Sequence, residues 1–210
     1  MSVTSPAKQS LSKQFPHIAK QWHPKKNGSL NPSSVAPFSH KKVWWQCQKG
    51  HEWQASVSNR TSKGGGCPYC AGRKVGSDNN LLVVNPELAR QWHHRKNGDL
   101  TPEQVRPGAG KSVWWVCEKG HEWKTQIGHR SRGSGCPYCV GRKVGSDNNL
   151  LAVNPELAHQ WHPTKNGNLR PSDVTPGSGR NVWWQCKRGH EWETRIAHRS
   201  QGTGCPYCAG

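Results

Sequence analysis

Residues 43–53 read V-W-W-Q-C-Q-K-G-H-E-W, a polar run then ends in Asn59-Arg60, and residues 64–70 read G-G-G-C-P-Y-C. The stretch offers Cys47, His51, Cys67 and Cys70 in the pattern C-x3-H-x15-C-x2-C, a three-cysteine, one-histidine set suited to tetrahedral zinc. Two further sets follow, Cys117, His121, Cys136 and Cys139, then Cys186, His190, Cys205 and Cys208, each with x14 in place of x15. All nine cysteines are used.

A disulfide framework does not explain three sets of three, because an odd number per repeat cannot pair internally. The chain begins MSVTSPAKQS, with no apolar signal region, so the expected setting is a reducing intracellular compartment, cytoplasm with nucleoid or nucleus. Catalytic zinc keeps an open coordination position, and four protein ligands leave none. Three structural Zn²⁺ are therefore expected, one per set.

The ligand sets recur at intervals of 70 and 69 residues, which overrides the one or two domains that length alone suggests. The expected organisation is a disordered leader over residues 1–10 and zinc modules over 11–80, 81–149 and 150–210. Only 31% of residues are hydrophobic, and the twelve Trp fall four to a module. So small a module with so few aliphatics needs a metal in place of a larger core.

Thirty Lys and Arg against twelve Asp and Glu give a formal charge of +18, and the chain stays strongly basic once nine thiolates and three Zn²⁺ are counted. The imbalance points to a polyanionic partner. No apolar run approaches the length of a membrane span.

Each module opens alike: F-P-H-I-A-K-Q-W-H-P-K-K-N-G from Phe15, N-P-E-L-A-R-Q-W-H-H-R-K-N-G from Asn85 and N-P-E-L-A-H-Q-W-H-P-T-K-N-G from Asn154. Asn85 and Asn154 fit helix N-caps, with Pro86 or Pro155 at the first helical position and Glu87 or Glu156 near the positive end of the dipole. Leu88, Ala89 and Trp92 then give one apolar face of a helix of two to three turns that Asn97-Gly98 ends. A second capped turn is expected at Thr101-Pro102-Glu103.

In V-W-W-x-C the alternation puts Val43, Trp45 and Cys47 on one face and Trp44 on the other. After the ligand His, Trp53, Ala55 and Val57 alternate with polar residues, predicting a half-buried strand that ends in Arg60, and likewise in Arg130 or Arg199. Modules one and two continue past the last ligand as G-R-K-V-G-S-D-N-N, whereas module three stops at Ala209-Gly210. The segment reads either as a linker that the last module omits or as the sign of a longer array.

Together W-H-P-x-K-N-G, V-W-W-x-C-x-x-G-H-E-W and G-C-P-Y-C, in one order three times, resemble the zinc-ribbon or treble-clef zinc finger tandem repeat family. The resemblance implies small metal-stabilised α+β modules, each a short helix, a β-hairpin and two zinc knuckles, with a nucleic-acid-binding role and some relatives carrying nuclease domains. Departures are Phe15-Pro16-His17 in place of N-P-E, His94 where Pro24 or Pro163 stands, and the segment absent after Gly210.

The leading functional expectation is a non-catalytic array on DNA, or RNA, with duplex DNA foremost. Expected phosphate contacts are Arg60, Arg130 and Arg199 before the knuckle, Lys63 and Arg132 in the Gly loop, Arg73, Lys74, Arg142 and Lys143 after it, and Lys26, Lys96 and Lys165 in the K-N-G turns. Single strands stacked on Trp44, Trp114 and Trp183 are a variant. Two alternatives remain open, a protein-interaction adaptor using exposed Trp, and a nuclease or the accessory part of a nuclease system. The nuclease reading would use His23, His93 and His162 as bases, and the one acid recurring in every copy is Glu52, Glu122 or Glu191.

Overall fold

A computed structural model describes residues 9–209. The expected leader lies outside the described residues up to residue 8, and Ser10 already sits at the N-cap of the first helix. The chain divides into two compact units, residues 1–111 and 112–210. The division falls inside the second repeat. Unit one thus holds repeat one and the helical part of repeat two, and unit two holds the second hairpin and knuckle with all of repeat three.

In unit one, α1 (Leu11–Gln14) and α2 (Pro16–Ala19) precede β1 (Lys42–Gln46), β2 (Glu52–Ser56) and α3 (Val57–Thr61). The strands pair antiparallel with Trp45 opposite Trp53. As the alternation predicts, Val43 and Trp45 are buried while Trp44 is half-buried. Trp45 closes a core with Leu11, Ile18, Val35, Trp53 and Val57, donates its Nε1–H to Ala55 O at 3.0 Å and meets Trp22 edge to face at 5.4 Å.

The K-N-G asparagine acts as a strand partner. Asn27 donates from Nδ2 to Trp44 O at 2.9 Å and accepts the Trp44 N–H at 2.7 Å, clamping the outer edge of β1. Gly28 follows at φ +56°, a backbone state that favours glycine.

Helices are shorter and more numerous than the sequence pattern predicts. The expected helix of two to three turns is one turn, α5 (Pro86–Ala89), preceded by an unforeseen turn, α4 (Leu81–Val84). Asn85 caps α5 as expected, accepting from Leu88 N at 3.1 Å, whereas Phe15 offers α2 no side-chain cap. A 3-10 turn, Pro102–Gln104, carries a capping box between Thr101 and Gln104.

The second departure is at the end of β2. Alternation predicts strand through Val57 to Arg60, but the strand stops at Ser56, whose Oγ accepts the Asn59 N–H at 3.3 Å and starts α3. Val57 and Arg60 then share the inward face of a helix, both buried.

Unit two repeats the plan: β3 (Ser112–Val116), β4 (Glu122–Gln126) and α6 (Ile127–Ser131), then α7 (Leu150–Val153), α8 (Pro155–Ala158), β5 (Asn181–Gln185), β6 (Glu191–Arg195) and α9 (Ile196–Ser200). Trp115 faces Trp123 and Trp184 faces Trp192 across the hairpins. Asn166 clamps Trp183 as Asn27 clamps Trp44, at 2.9 and 2.8 Å.

Candidate metal centres and nucleic-acid surface

Each ligand set converges on one point. The β1–β2 turn brings Cys47 and His51 together, Cys47 N–H bonding to His51 O at 3.0 Å, and Gly50 takes φ +81° to let the chain reverse. The Cys67–Cys70 knuckle supplies the other pair, its turn held by Ala71 N to Cys67 O and Gly72 N to Tyr69 O. This turn does not open a helix, and α4 begins only at Leu81.

The ligand atoms have the spacing of a tetrahedron. His51 Nδ1 lies 3.4 Å from Cys47 Sγ, 3.6 Å from Cys67 Sγ and 3.4 Å from Cys70 Sγ, with Cys47 and Cys70 sulfurs 3.8 Å apart. Zinc bonds of about 2.3 Å to sulfur and about 2.0 Å to nitrogen place tetrahedral vertices about 3.5 to 3.8 Å apart. The second set repeats these values, 3.4, 3.7, 3.4 and 3.8 Å. The third gives 3.5, 3.7, 3.3 and 3.9 Å.

Electrostatics agree with a cation at the centre. Burial pushes the Cys47 thiol up, but the Lys49 and His51 amides and the His51 imidazole more than offset it, leaving about 7. Burial and the sulfurs of Cys67 and Cys47 push Cys70 up to about 11. Three thiolates this close resist ionising together unless a metal lies between them. The three sites fit three zinc ions, and no ligand position is left over for a substrate.

Around the first two sites lies a group that sequence reasoning missed. His51 Nε2 lies 2.8 Å from Asp78 Oδ1, and His121 Nε2 the same distance from Asp147 Oδ1. Tyr69 and Tyr138 stack on those imidazoles, centroids 5.1 Å apart in both pairs. The recurring S-D-N-N after each of these knuckles was the available signal, hidden by reading it as a linker.

A family profile described as a probable treble clef zinc finger domain matches residues 18–73, 88–142 and 157–210. The chain belongs to that family. No curated protein matches the chain. Each treble clef repeat contributes one matched segment, and every segment contains one full ligand set.

The arginines expected on phosphate before each treble clef knuckle are instead internal. Arg60, Arg130 and Arg199 are 5%, 8% and 7% exposed. Arg60 donates from Nη1 to Gly65 O and from Nη2 to Gln21 Oε1 at 2.5 Å, with its guanidinium 5.0 and 5.3 Å from the Trp45 and Trp53 ring centres. Arg130 and Arg199 hold Ser134 O and Thr203 O in the same way. Burial lowers the Arg60 pKa while the neighbouring Cys67 raises it. The guanidinium stays charged and serves as counter-charge to the Cys67 thiolate.

Lys26 and Lys165 are committed as well. Each ammonium bonds a carboxylate, Glu52 or Glu191, and covers a half-buried Trp ring, Trp44 at 4.7 Å or Trp183 at 4.4 Å. The same carboxylates lie 2.8 and 2.9 Å from His23 and His162 Nε2, so these acids serve the K-N-G turn and not the zinc. Lys26 foremost, then His23, holds the Glu52 carboxyl below its ordinary range. His23 Nδ1 accepts the amides of Lys25 and Lys26, both at 3.1 Å, which places the ring proton on Nε2.

Lys63, Arg73 and Lys74 about the first knuckle, and Arg132, Arg142 and Lys143 about the second, are exposed. Among the described residues none of these has a carboxylate partner. Lys96 is exposed, and its amide donates to His93 Nδ1 at 3.2 Å. Among the described residues, no helix is long and apolar enough to cross a membrane.

Proposed function

We propose that the chain is a non-catalytic nucleic-acid-binding protein, with duplex DNA its foremost target, in which zinc-clamped repeats present cations to successive phosphates. One observation carries the reading: the exposed cations around the first two knuckles have no carboxylate partner among the described residues, whereas Lys26 and Lys165 in the K-N-G turns do. Arg142 and Arg180 moreover line one polar cleft in unit two, together with Thr175, Ser178 and a single acid, Asp173. Unpaired guanidinium and ammonium groups on rigid loops are what sequence-independent phosphate contact requires.

The site geometry favours binding over cleavage. His23 and His162 are buried, with Nδ1 engaged by backbone amides and Nε2 by a carboxylate, which leaves neither imidazole nitrogen for a substrate proton. Stacking of single strands is disfavoured at Trp44 and Trp183, where a lysine already covers one face. Among the described residues, no Trp is among the exposed large apolar side chains, which weighs against an adaptor built on tryptophan.

Affinity for a duplex measured against salt tests the proposal. With the six exposed cations around the first two knuckles as phosphate contacts, the slope of log K against log salt should be about −5. An affinity indifferent to salt between about 50 and 200 mM would refute it.

A further inference from the structure

We propose that the G-S-D-N-N segment after each of the first two knuckles is shared by two repeats, orienting the histidine ligand of the repeat before it and capping the first helix of the repeat after it, so that metal binding in one repeat orders the next. The segment lies between the matched parts of the chain, and the inference does not depend on nucleic-acid binding.

The upstream half is built on Asp78. His51 turns Nδ1 toward the three sulfurs, so Nε2 bears the proton and donates it to Asp78 Oδ1 at 2.8 Å. A carboxylate there fixes the tautomer and ring plane and raises the basicity of the ligating nitrogen. Tyr69 lies over the same ring, and Gly76 is the residue that lets both approach: a Cβ there would come within 3.1 Å of Tyr69 Cδ1 and 3.4 Å of Asp78 Oδ1.

Asn79 and Asn80 make the segment rigid. Asn79 accepts the Gly76 N–H at 2.7 Å and donates to Tyr69 O at 2.8 Å and Lys74 O at 3.0 Å. Asn80, only 5% exposed, donates to Gly76 O at 3.0 Å and Ser77 O at 3.2 Å, while its Oδ1 accepts the Val83 N–H at 3.0 Å and so caps α4. Leu81, fully buried, then bonds through its N–H to Val105 O at 2.8 Å inside repeat two. A single residue, Asn79, therefore separates a zinc-site carboxylate from a helix cap of the next repeat.

The second junction reproduces this arrangement. Asp147 takes His121 Nε2, Asn148 bonds Gly145 N and Tyr138 O, Asn149 caps α7 through Ala152 N, and Leu150 N–H reaches Val174 O at 2.8 Å. At the third site, among the described residues, His190 Nε2 meets no carboxylate, and Tyr207 is tilted 50° to the ring in place of the 20° and 23° at the others.

The test uses the full chain loaded with ¹¹³Cd²⁺, whose NMR signals resolve the three sites, competed with a chelator. Asp78→Ala should weaken site one about 10- to 100-fold and leave site three unchanged. Asp78→Asn, which keeps shape but loses charge, should fall between. The ¹⁵N shifts of His51 should report the Nε2–H tautomer in the wild type and its loss in Asp78→Ala. Cys47→Ser, which disables site one, should speed amide exchange over residues 81–84 but not over 150–153. Reciprocally, Asn80→Ala, which removes the α4 cap and touches no zinc ligand, should weaken site one by at most the factor by which the metal protects residues 81–84. Site-one affinity within twofold of wild type in Asp78→Ala, or exchange over 81–84 unmoved by Cys47→Ser, would overturn the proposal.

Discussion

The Arg60 guanidinium stands 5.0 Å from the centre of the Trp45 ring, inside the repeat, with its two terminal nitrogens on the knuckle loop and on Gln21. Replacing Arg60 or Arg199 with Ala should therefore destabilise the repeat by about 2–4 kcal/mol, since loop carbonyl and Gln lose their donor and the thiolates lose a counter-charge. Thermal unfolding of the zinc-loaded chain measures it. Arg60→Lys should recover little, because one ammonium cannot span both acceptors.

Arg130 and Arg142 should separate stability from binding. Arg142→Ala should lower duplex affinity for all sequences alike and reduce the magnitude of the salt slope by about one, at unchanged melting temperature. Arg130→Ala should do the converse, shifting the melt with the slope intact. A salt slope changed equally by both would contradict the division between internal and surface arginines.

Metal analysis should return three zinc ions per chain. Each ion displaces protons from thiols, of which Cys70, Cys139 and Cys208 are the most reluctant, raised to about 11. Zinc affinity should thus climb with pH through the neutral range, and chelation should unfold the repeats. A chain that keeps its dispersed NMR spectrum without zinc would show that the apolar core suffices.

Plasmid DNA incubated with the chain and Mg²⁺ or Mn²⁺ should remain supercoiled. Nicking that vanishes in His23→Ala would mean that the buried imidazole is reachable after all.

The ligand sets were legible because spacing alone identifies them, and the Asn85 and Asn154 caps and the V-W-W alternation because each is a local rule that tertiary packing does not override. The arginines were not. Their burial depends on Ser56 ending a strand and starting a one-turn helix, a switch that alternation over Trp53, Ala55 and Val57 conceals. Helix α4 was missed because four residues give no helical period, and its cap, Asn80, lies in what composition marks as linker. The repeated S-D-N-N marked Asp78 as a recurring residue but not its role, because its partner is 27 residues away and no local pattern links an aspartate to a distant histidine.

The position of Asp147 bears on how such an array can be cut and rejoined. A cassette excised at the matched limits, residues 88–142, would carry a whole ligand set yet leave behind the carboxylate that faces His121. Moving the downstream cut beyond Asp147 keeps donor and acceptor on one fragment. The matched segment and the unit that completes the zinc site thus end a few residues apart, and anyone splicing these fingers into new orders has to follow the second.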